Sequence, residues 1–318
     1  MALVSFGDVE LARARLARKI RRTPLVRSGS LSAMLGCEIY LKLEPMQKTG
    51  SFKVRGALNK VATLTPDERH RGVVTLSAGN HAQSLAWAAT DAGVRCTVVM
   101  PSTAVRSKVE ATRAYGGEVV QTADGLLDTV HQLQADRGLA LVHPFDDPMI
   151  IAGAGTVADE IFDDLGDADA VVFGVGGGGL GAGTAVVTRA RREGARLIGI
   201  EPEGANAMQQ SLARGEPVTL DPPPRTLADG LAAPFAGTHT FAHFRDLGVE
   251  VYALPDAPII DAMWLMMERA KVVTEPAAAA ALAGLLQRVP RPAIPAGAKV
   301  VCIVSGGNVD RERLRTLG

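Results

Sequence analysis

The sequence has few aromatic residues and no excess of charge of either sign. Phe, Trp and Tyr make up 4% of the 318 residues, and 34 Lys plus Arg balance 34 Asp plus Glu, so the formal net charge is zero. A nucleic-acid partner would require a basic face, and base stacking would require aromatic side chains. We therefore expect no nucleic-acid partner.

Long apolar runs and cysteine pairs are also missing. No apolar run reaches the roughly 18 residues that a membrane-spanning helix needs. The first ten residues, MALVSFGDVE, contain acidic residues where a signal peptide has basic and apolar regions. The three cysteines, Cys37, Cys96 and Cys302, are far apart and odd in number, so they form neither a disulfide framework nor a metal-binding spacing. These absences predict a cytoplasmic protein with no membrane partner.

Short apolar segments alternate with helical segments along most of the chain. This alternation is typical of parallel strands that are buried on both faces, and it predicts a doubly wound α/β fold. Two sheets are expected, from about 70 to 147 and from about 148 to 318, with ligands beyond the carboxyl ends of the strands. The predicted strands are 37–45, 73–77, 95–101, 118–123, 139–145, 169–179, 196–204 and 299–308.

The segment KTGSFKVRGALNK, residues 48–60, predicts a helix that carries Lys53 near its start. Val54, Leu58 and Val61 form its apolar face at about 100° per residue, and Lys53 lies at the border of that face. Periodicity alone therefore makes Lys53 an ordinary solvated lysine. It leaves open whether this helix packs on the first or the second sheet.

Three predicted strands end in loops of small residues: SAGNH (77–81), GVGGGGLGAG (174–183) and SGGN (305–308). Glycines at such a position let backbone N–H groups approach an anion, and the following helix adds its positive end. The glycine tract also satisfies the G-x-G-x-x-G pattern at Gly174, Gly176 and Gly179. Glu201 lies about 20 residues further on, where a ribose-binding acid would stand. An NAD(P)-dependent dehydrogenase is therefore one hypothesis, but it gives Lys53, SAGNH and SGGN no role.

Taken together, the motifs SFKVRGA, SAGNHAQ, GVGGGGL and SGGN resemble, in order and spacing, the serine/threonine dehydratase family of pyridoxal-phosphate (PLP) enzymes. TPLVRS (23–28), HPFDDPMIIAGAGT (143–156) and LADG (227–230) extend the resemblance over nearly the whole chain. It implies fold type II, the tryptophan synthase β-like fold, with the cofactor between two doubly wound parallel-sheet domains. Residues 1–70 plus 148–318 would form the large domain and 71–147 the small one, without a C-terminal regulatory domain.

The resemblance also implies a role for each motif. Lys53 would carry the cofactor as a Schiff base, Phe52 would pack against its ring, Asn80 would bind its phenolic oxygen and Ser305 its pyridine nitrogen. The expected phosphate loop consists of Gly176, Gly177, Gly178, Gly179 and Leu180. The expected pocket for the substrate carboxylate is lined by Ser77, Ala78, Asn80 and His81.

The implied reaction is deamination by β-elimination, which converts L-threonine to 2-oxobutyrate and L-serine to pyruvate, each with ammonia. Lys53, with a pKa lowered by burial, would remove the Cα proton. Serine racemases of this family carry a second serine in the SAGNH loop, where this chain has Ala78, so elimination is favoured over racemisation. A serine racemase or a dehydratase of another β-hydroxy amino acid remains the alternative.

A metal site is not expected. Relatives that bind a divalent cation use an E-P-x-x-A-x-D pattern, and in EPEGANAM the aspartate is replaced by Ala207. Glu201 is therefore a candidate ligand only, and a structural carboxylate at a strand end is an equal interpretation. As partners we expect a small amino-acid substrate and further copies of the chain, in a homodimer or homotetramer.

Overall fold

The computed structural model describes residues 2–317. Its strands are β1 (Leu25–Arg27), β2 (Glu38–Leu43), β3 (Val73–Leu76), β4 (Cys96–Pro101), β5 (Glu118–Thr122), β6 (Ala140–Leu141), β7 (Ala170–Gly174), β8 (Arg196–Pro202), β9 (Glu250–Leu254) and β10 (Lys299–Val304). Its α-helices are α1 (Phe6–Leu16), α2 (Gly29–Leu35), α3 (Lys53–Ala62), α4 (Pro66–Arg71), α5 (Asn80–Asp91), α6 (Arg106–Ala114), α7 (Leu126–Arg137), α8 (Pro148–Asp164), α9 (Gly179–Arg191), α10 (Ala207–Arg214), α11 (Thr238–Asp246), α12 (Asp256–Leu265), α13 (Pro276–Leu286) and α14 (Arg311–Thr316). Short 3₁₀ turns occur at Glu44–Met46, Lys48–Gly50, Glu203–Ala205 and Asp229–Leu231, and a π-helical turn, Met266–Ala270, extends α12.

The larger sheet has six strands in the order β1-β2-β10-β7-β8-β9. All neighbouring pairs are parallel except β1 with β2, which is antiparallel at the edge. In the centre, Val301 of β10 lies opposite Tyr40 of β2 and Val171 of β7. β7 is buried along its whole length, because helices cover both faces of the sheet.

The smaller sheet has four parallel strands in the order β5-β4-β3-β6. Its core includes Val73, Val98 and Leu85, and the apolar face of α3 packs into the same cluster through Val54, Leu58 and Val61. The Lys53 helix therefore contacts the small sheet, whereas β2, which precedes it in the chain, belongs to the large one.

α3 and α8 approach so closely that only glycines fit between them. A Cβ atom on Gly153 of α8 would lie 2.6 Å from the carbonyl oxygen of Arg55 and 2.7 Å from Cα of Gly56. α8 is fixed in turn by its N-cap Asp147, whose side chain accepts from the amides of Met149 and Ile150. This contact sets the position of the helix that carries Lys53.

A buried ion cluster lies behind the same helix. The Arg55 guanidinium donates to both oxygens of Glu44 at 2.8 and 2.9 Å, and to both oxygens of Glu160 at 2.7 and 3.0 Å. Lys42 Nζ donates to Glu160 at 2.6 Å and to the carbonyl of Thr23 at 2.7 Å. Burial alone would raise the pKa of Glu160, but its bonds to Arg55 and Lys42 outweigh burial and lower it. Two cations and two carboxylates thus balance within the core.

The described residues differ from the sequence expectation at the sheet edges. Strands β1 and β9 were not predicted, because the short β1 segment and the charged start of β9 lack an uninterrupted apolar run. The predicted strand 139–145 is reduced to Ala140–Leu141, after which the chain turns towards α8. The remaining predicted strands are present, each shorter than its predicted range.

The three cysteines are all free and buried. Burial raises the pKa of each thiol, that of Cys96 to about 12. No helix within residues 2–317 combines the length and the apolar character needed to cross a membrane.

Candidate active site

Lys53 is held at the carboxyl edge of the large sheet by pairing of two short segments. Residues 49–52 run antiparallel to 305–308, through a bridge between Ser51 and Gly306 and a 3.0 Å hydrogen bond from the Phe52 amide to the carbonyl of Ser305. The SGGN segment follows β10 directly, and α3 begins directly after Phe52. Lys53, Phe52 and Ser305, predicted to share a site, are thereby brought together.

The Lys53 amine is partly buried beside a backbone carbonyl and an aromatic ring. Nζ donates to the carbonyl oxygen of Pro144 at 2.8 Å and lies 5.3 Å from the centre of the Phe52 ring. Burial lowers the pKa of Lys53 to about 8, against the opposing effect of the Glu275 carboxylate. About half of this amine is therefore unprotonated at pH 8.

This pKa predicts how Lys53 reacts in the cofactor-free protein. Only the neutral amine is a nucleophile, and with a pKa of about 8 its fraction rises from about one tenth at pH 7 to about nine tenths at pH 9. Competitive acetylation followed by peptide mass spectrometry should show the reactivity of Lys53 levelling off near pH 9. A reactivity that continues to rise towards pH 10.5, as for an ordinary lysine, would contradict the lowered pKa.

The glycine loop joins β7 to α9 and contacts Phe145 and Thr240. A Cβ on Gly177 would overlap the ring of Phe145, and one on Gly178 would lie 2.9 Å from Cβ of Thr240. Gly178 has φ +91° and caps α9, a conformation that favours glycine. The hydroxyl of Thr240 donates to the carbonyl of Gly177 at 2.8 Å. The four glycines 176–179 thus carry no side chains, and their backbone at the start of a 13-residue helix suits a phosphate group.

The SAGN loop follows β3 and places Asn80 at the first position of α5. Asn80 Nδ2 donates to Glu275 Oε1 at 2.7 Å, and its Oδ1 accepts from Asn308 Nδ2 at 2.8 Å. The hydroxyl of Ser77 accepts from the amide of Gly79 at 3.3 Å. Ala78, partly buried in the same loop, packs at the border of the small-sheet core. Asn80 therefore meets the SGGN segment across the cleft between the two sheets.

His81 is 3% exposed, and neither of its ring nitrogens has a hydrogen-bond partner among the described residues. Burial, followed by the charge of Lys53, lowers the pKa of His81 to about 3. The ring is therefore neutral at physiological pH. The neutral ring is not suited to bind a substrate carboxylate as a cation. The backbone N–H groups of the loop remain suited to bind it.

The carboxylate of Glu201, near the end of β8, already accepts two backbone hydrogen bonds. Oε1 accepts from the amide of Met208 at 2.9 Å and Oε2 from that of Gln209 at 2.8 Å, at the start of α10. Burial raises its pKa to about 8. No cluster of three or more His, Cys, Asp or Glu side chains suited to a metal occurs within residues 2–317. These contacts favour a structural role for Glu201 over ribose binding or metal binding.

Sequence reasoning missed several residues of the site. Glu275 and Asn308 bond to Asn80, and Phe145 and Thr240 contact the glycine loop. Asn308 ends the SGGN motif and Phe145 lies in the segment 143–156, but neither motif predicts a role for these residues. The only signal for Glu275 is a carboxylate directly before Pro276 and a run of alanines, at the start of a buried helix.

The donor set matches the parts of PLP. Four groups lie around one cleft at the carboxyl ends of β3, β7 and β10: the amine of Lys53, the glycine loop at the start of α9, the amide of Asn80 and the hydroxyl of Ser305. This arrangement offers partners for an aldehyde, a phosphate, a phenolic oxygen and a ring nitrogen. The residues present therefore fit this cofactor.

Comparisons with known proteins agree with the site. The family described as pyridoxal-phosphate dependent enzyme matches residues 16–306. The chain is 41% identical to an L-threonine ammonia-lyase of Thermotoga maritima over 97% of its length and 76% of the relative's. It is 39% identical to an L-threo-3-hydroxyaspartate ammonia-lyase of Saccharomyces cerevisiae, covering 100% of this chain and 97% of the relative. The structure of maize serine racemase superposes with a TM-score of 0.94 at 36% identity, covering 99% of this chain and 97% of the other.

Proposed function

Because the chain belongs to the family of pyridoxal-phosphate dependent enzymes, we propose that it deaminates L-threonine and L-serine by β-elimination. The products are 2-oxobutyrate or pyruvate, each with ammonia. The observation that carries the proposal is the Lys53 amine, partly buried and with a pKa of about 8, beside the residues that suit the cofactor. The substrate class is supported by the 41% identity to an L-threonine ammonia-lyase.

We assign the residues as follows. The cofactor is held by Phe52, Lys53, Asn80, Gly176, Gly177, Gly178, Gly179, Leu180 and Ser305, and the substrate carboxylate by the loop of Ser77, Ala78, Asn80 and His81. When bound, PLP supplies an electron sink that makes the Cα proton of the substrate acidic. Lys53 Nζ, neutral above about pH 8, is the base that takes this proton.

Elimination is favoured over racemisation by the side chain at position 78. Racemisation requires a second acid that returns the proton from the face opposite the lysine. Ala78 has no proton to give, and the ring of His81 in the same loop is neutral and buried. The likeness to maize serine racemase therefore supports the shared fold more than the shared reaction.

The negative charges near the cleft favour β-hydroxy amino acids that have no second carboxylate. A substrate such as 3-hydroxyaspartate carries a second carboxylate, which needs a cation. Near Glu275 the structure places a further carboxylate, Asp229, and the ammonium of Lys108 is already paired with that aspartate. A second substrate carboxylate near Glu275 and Asp229 would meet charge of the same sign, so threonine and serine are the preferred substrates.

Two further features belong to the proposal. We infer that residues 1–70 with 148–318, and residues 71–147, form the large and small domains of a cytoplasmic homodimer or homotetramer. Val26 at the sheet edge is 45% exposed and lines a shallow cavity with Ala270 and Val272, beside the 59% exposed Val273. Such neighbouring apolar side chains are typical of a contact surface. Light scattering of the purified protein would contradict this if it gave the mass of a single chain.

The decisive test is the release of 2-oxo acid from three substrates by protein reconstituted with PLP. We expect release from L-threonine and L-serine, and a kcat/KM for L-threo-3-hydroxyaspartate at least about tenfold lower, because of the unpaired charge. Chiral chromatography of the serine reaction measures racemisation in the same samples. D-serine formed without pyruvate would refute the elimination, and a preference for 3-hydroxyaspartate would refute the substrate assignment.

A further inference from the structure

Glu275 is a buried carboxylate within the cleft to which the proposed reaction gives no role. It is 7% exposed and precedes α13. Its Oε1 accepts from Asn80, and a Cβ on Gly306 would lie 2.7 Å from the same oxygen. Burial and the nearby Asp229 raise its pKa to about 7. Either protonation state leaves an oxygen that can accept from an amide N–H.

Asn308 fixes the other end of the same amide. Its Nδ2 donates to the carbonyl of Thr49 at 2.7 Å and to Asn80 Oδ1 at 2.8 Å, so both of its amide hydrogens are used. A backbone carbonyl only accepts, and this determines which end of Asn308 faces Thr49. The orientation of Asn80 follows: its oxygen faces Asn308 and its nitrogen faces Glu275.

This orientation leaves Asn80 with one uncommitted N–H hydrogen. Its NH₂ group has two hydrogens, of which Glu275 accepts one. An asparagine amide rotated by half a turn would instead present its oxygen, which repels the electron-rich phenolic oxygen of PLP. The orientation of the amide is thus as important as its position.

We propose that Glu275 and Asn308 are positioning residues, which hold the Asn80 amide so that its free N–H faces the phenolic oxygen of PLP. This inference rests on the proposed function, from which the contact between Asn80 and the cofactor comes. Asn80 follows β3 of the small sheet. Asn308 follows β10 of the large sheet, and Glu275 is the N-cap residue of α13, which packs on the large sheet. The hydrogen bonds of Asn80 to Asn308 and Glu275 therefore join the two sheets. The contact between Asn80 and PLP depends on how close the sheets lie to each other.

The test is the dissociation constant of PLP, measured by absorbance titration of the cofactor-free protein. Asn80→Ala removes the contact and should weaken binding about tenfold, the effect of one hydrogen bond. Glu275→Ala and Asn308→Ala should each weaken it by about five- to tenfold, because the Asn80 amide then rotates. Glu275→Gln keeps the accepting oxygen and should stay within about twofold of the wild type.

Double variants separate positioning from general structural damage. In an Asn80→Ala background, Glu275→Ala and Asn308→Ala should each raise the PLP dissociation constant by less than about twofold, because the Asn80 amide through which they act is absent. Glu110→Gln is the charge control: it removes a negative charge from the exposed surface of α6 without a bond to Asn80, and should leave binding unchanged. Thermal unfolding of each variant reports the integrity of the fold.

Three results would overturn the inference: an additive loss of about fifty- to a hundredfold in either double variant, no loss in Glu275→Ala or Asn308→Ala, or no loss in Asn80→Ala. The readout is cofactor binding, so it is independent of the amino acid deaminated. If the wild type binds PLP but releases no oxo acid from threonine or serine, the proposed function is refuted. The PLP dissociation constants of the variants would still test whether Glu275 and Asn308 position Asn80.

Discussion

Replacing Lys53 by alanine should abolish oxo acid release, lowering kcat by at least about 10⁴-fold with threonine as substrate. The loss has two sources, since the same amine holds the cofactor and removes the Cα proton, and general base catalysis alone contributes about 10² to 10⁴. The fold should survive. Burial disfavours the charged Lys53 amine, so cofactor-free Lys53→Ala should unfold at a temperature no lower than the cofactor-free wild type.

The matched control is Lys60→Ala, two turns along the same helix. Lys60 pairs with Asp147 at 2.6 Å, and Asp147 is not among the residues proposed to hold the cofactor or the substrate, so the loss of Lys60 should change kcat by less than about fivefold. Steady-state assays of both variants, with thermal unfolding, complete the comparison. A Lys53→Ala enzyme that retained more than about 1% of the wild-type rate would show that another group takes the proton.

Replacing Arg55 by methionine should destabilise the protein by about 3–5 kcal/mol, a larger effect than any surface change. Arg55 is completely buried and binds both oxygens of Glu44 and of Glu160. Without it, two buried carboxylates face the single ammonium of Lys42. Burying unpaired charge is costly, and Met retains the volume but not the charge.

Arg106→Met is the matched control for that variant. Arg106 also pairs with a glutamate, Glu110 at 2.6 Å, but its side chain is 90% exposed. Its loss should cost about 0.5 kcal/mol or less, because water screens the pair. Urea unfolding at pH 7.5 measures both free energies. Equal effects for the two arginines would contradict the stabilising role of the buried cluster.

Most of the fold follows from pattern in the sequence. Apolar segments at β3, β4, β7, β8 and β10, in a chain where such segments alternate with helical ones, predicted parallel sheets. The fold type II class and the PLP cofactor are confirmed. The short edge strands β1 and β9 were missed because edge strands need no continuous apolar run. The assignment of individual site residues stays a prediction.

The site was less accessible to sequence reasoning, because its geometry depends on contacts between distant segments. Residues 49–52 pair with 305–308, and Glu275 bonds to Asn80 from 195 positions away. No local period encodes such pairs. The position of Lys53 at the border of an apolar face suggested solvent, whereas Pro144 and Phe52, brought in by folding, partly bury its amine.

The burial of all three cysteines makes the molecule suitable for site-specific labelling. Thiols with a raised pKa and little surface react slowly with maleimides, so the wild type should need no cysteine removal. Cysteines introduced at the exposed Leu127, on α7 beside the small sheet, and at Leu11, on α1 beside the large sheet, would then carry two probes. The distance between the probes, measured with and without an amino acid, would report whether the two sheets move relative to each other during the reaction.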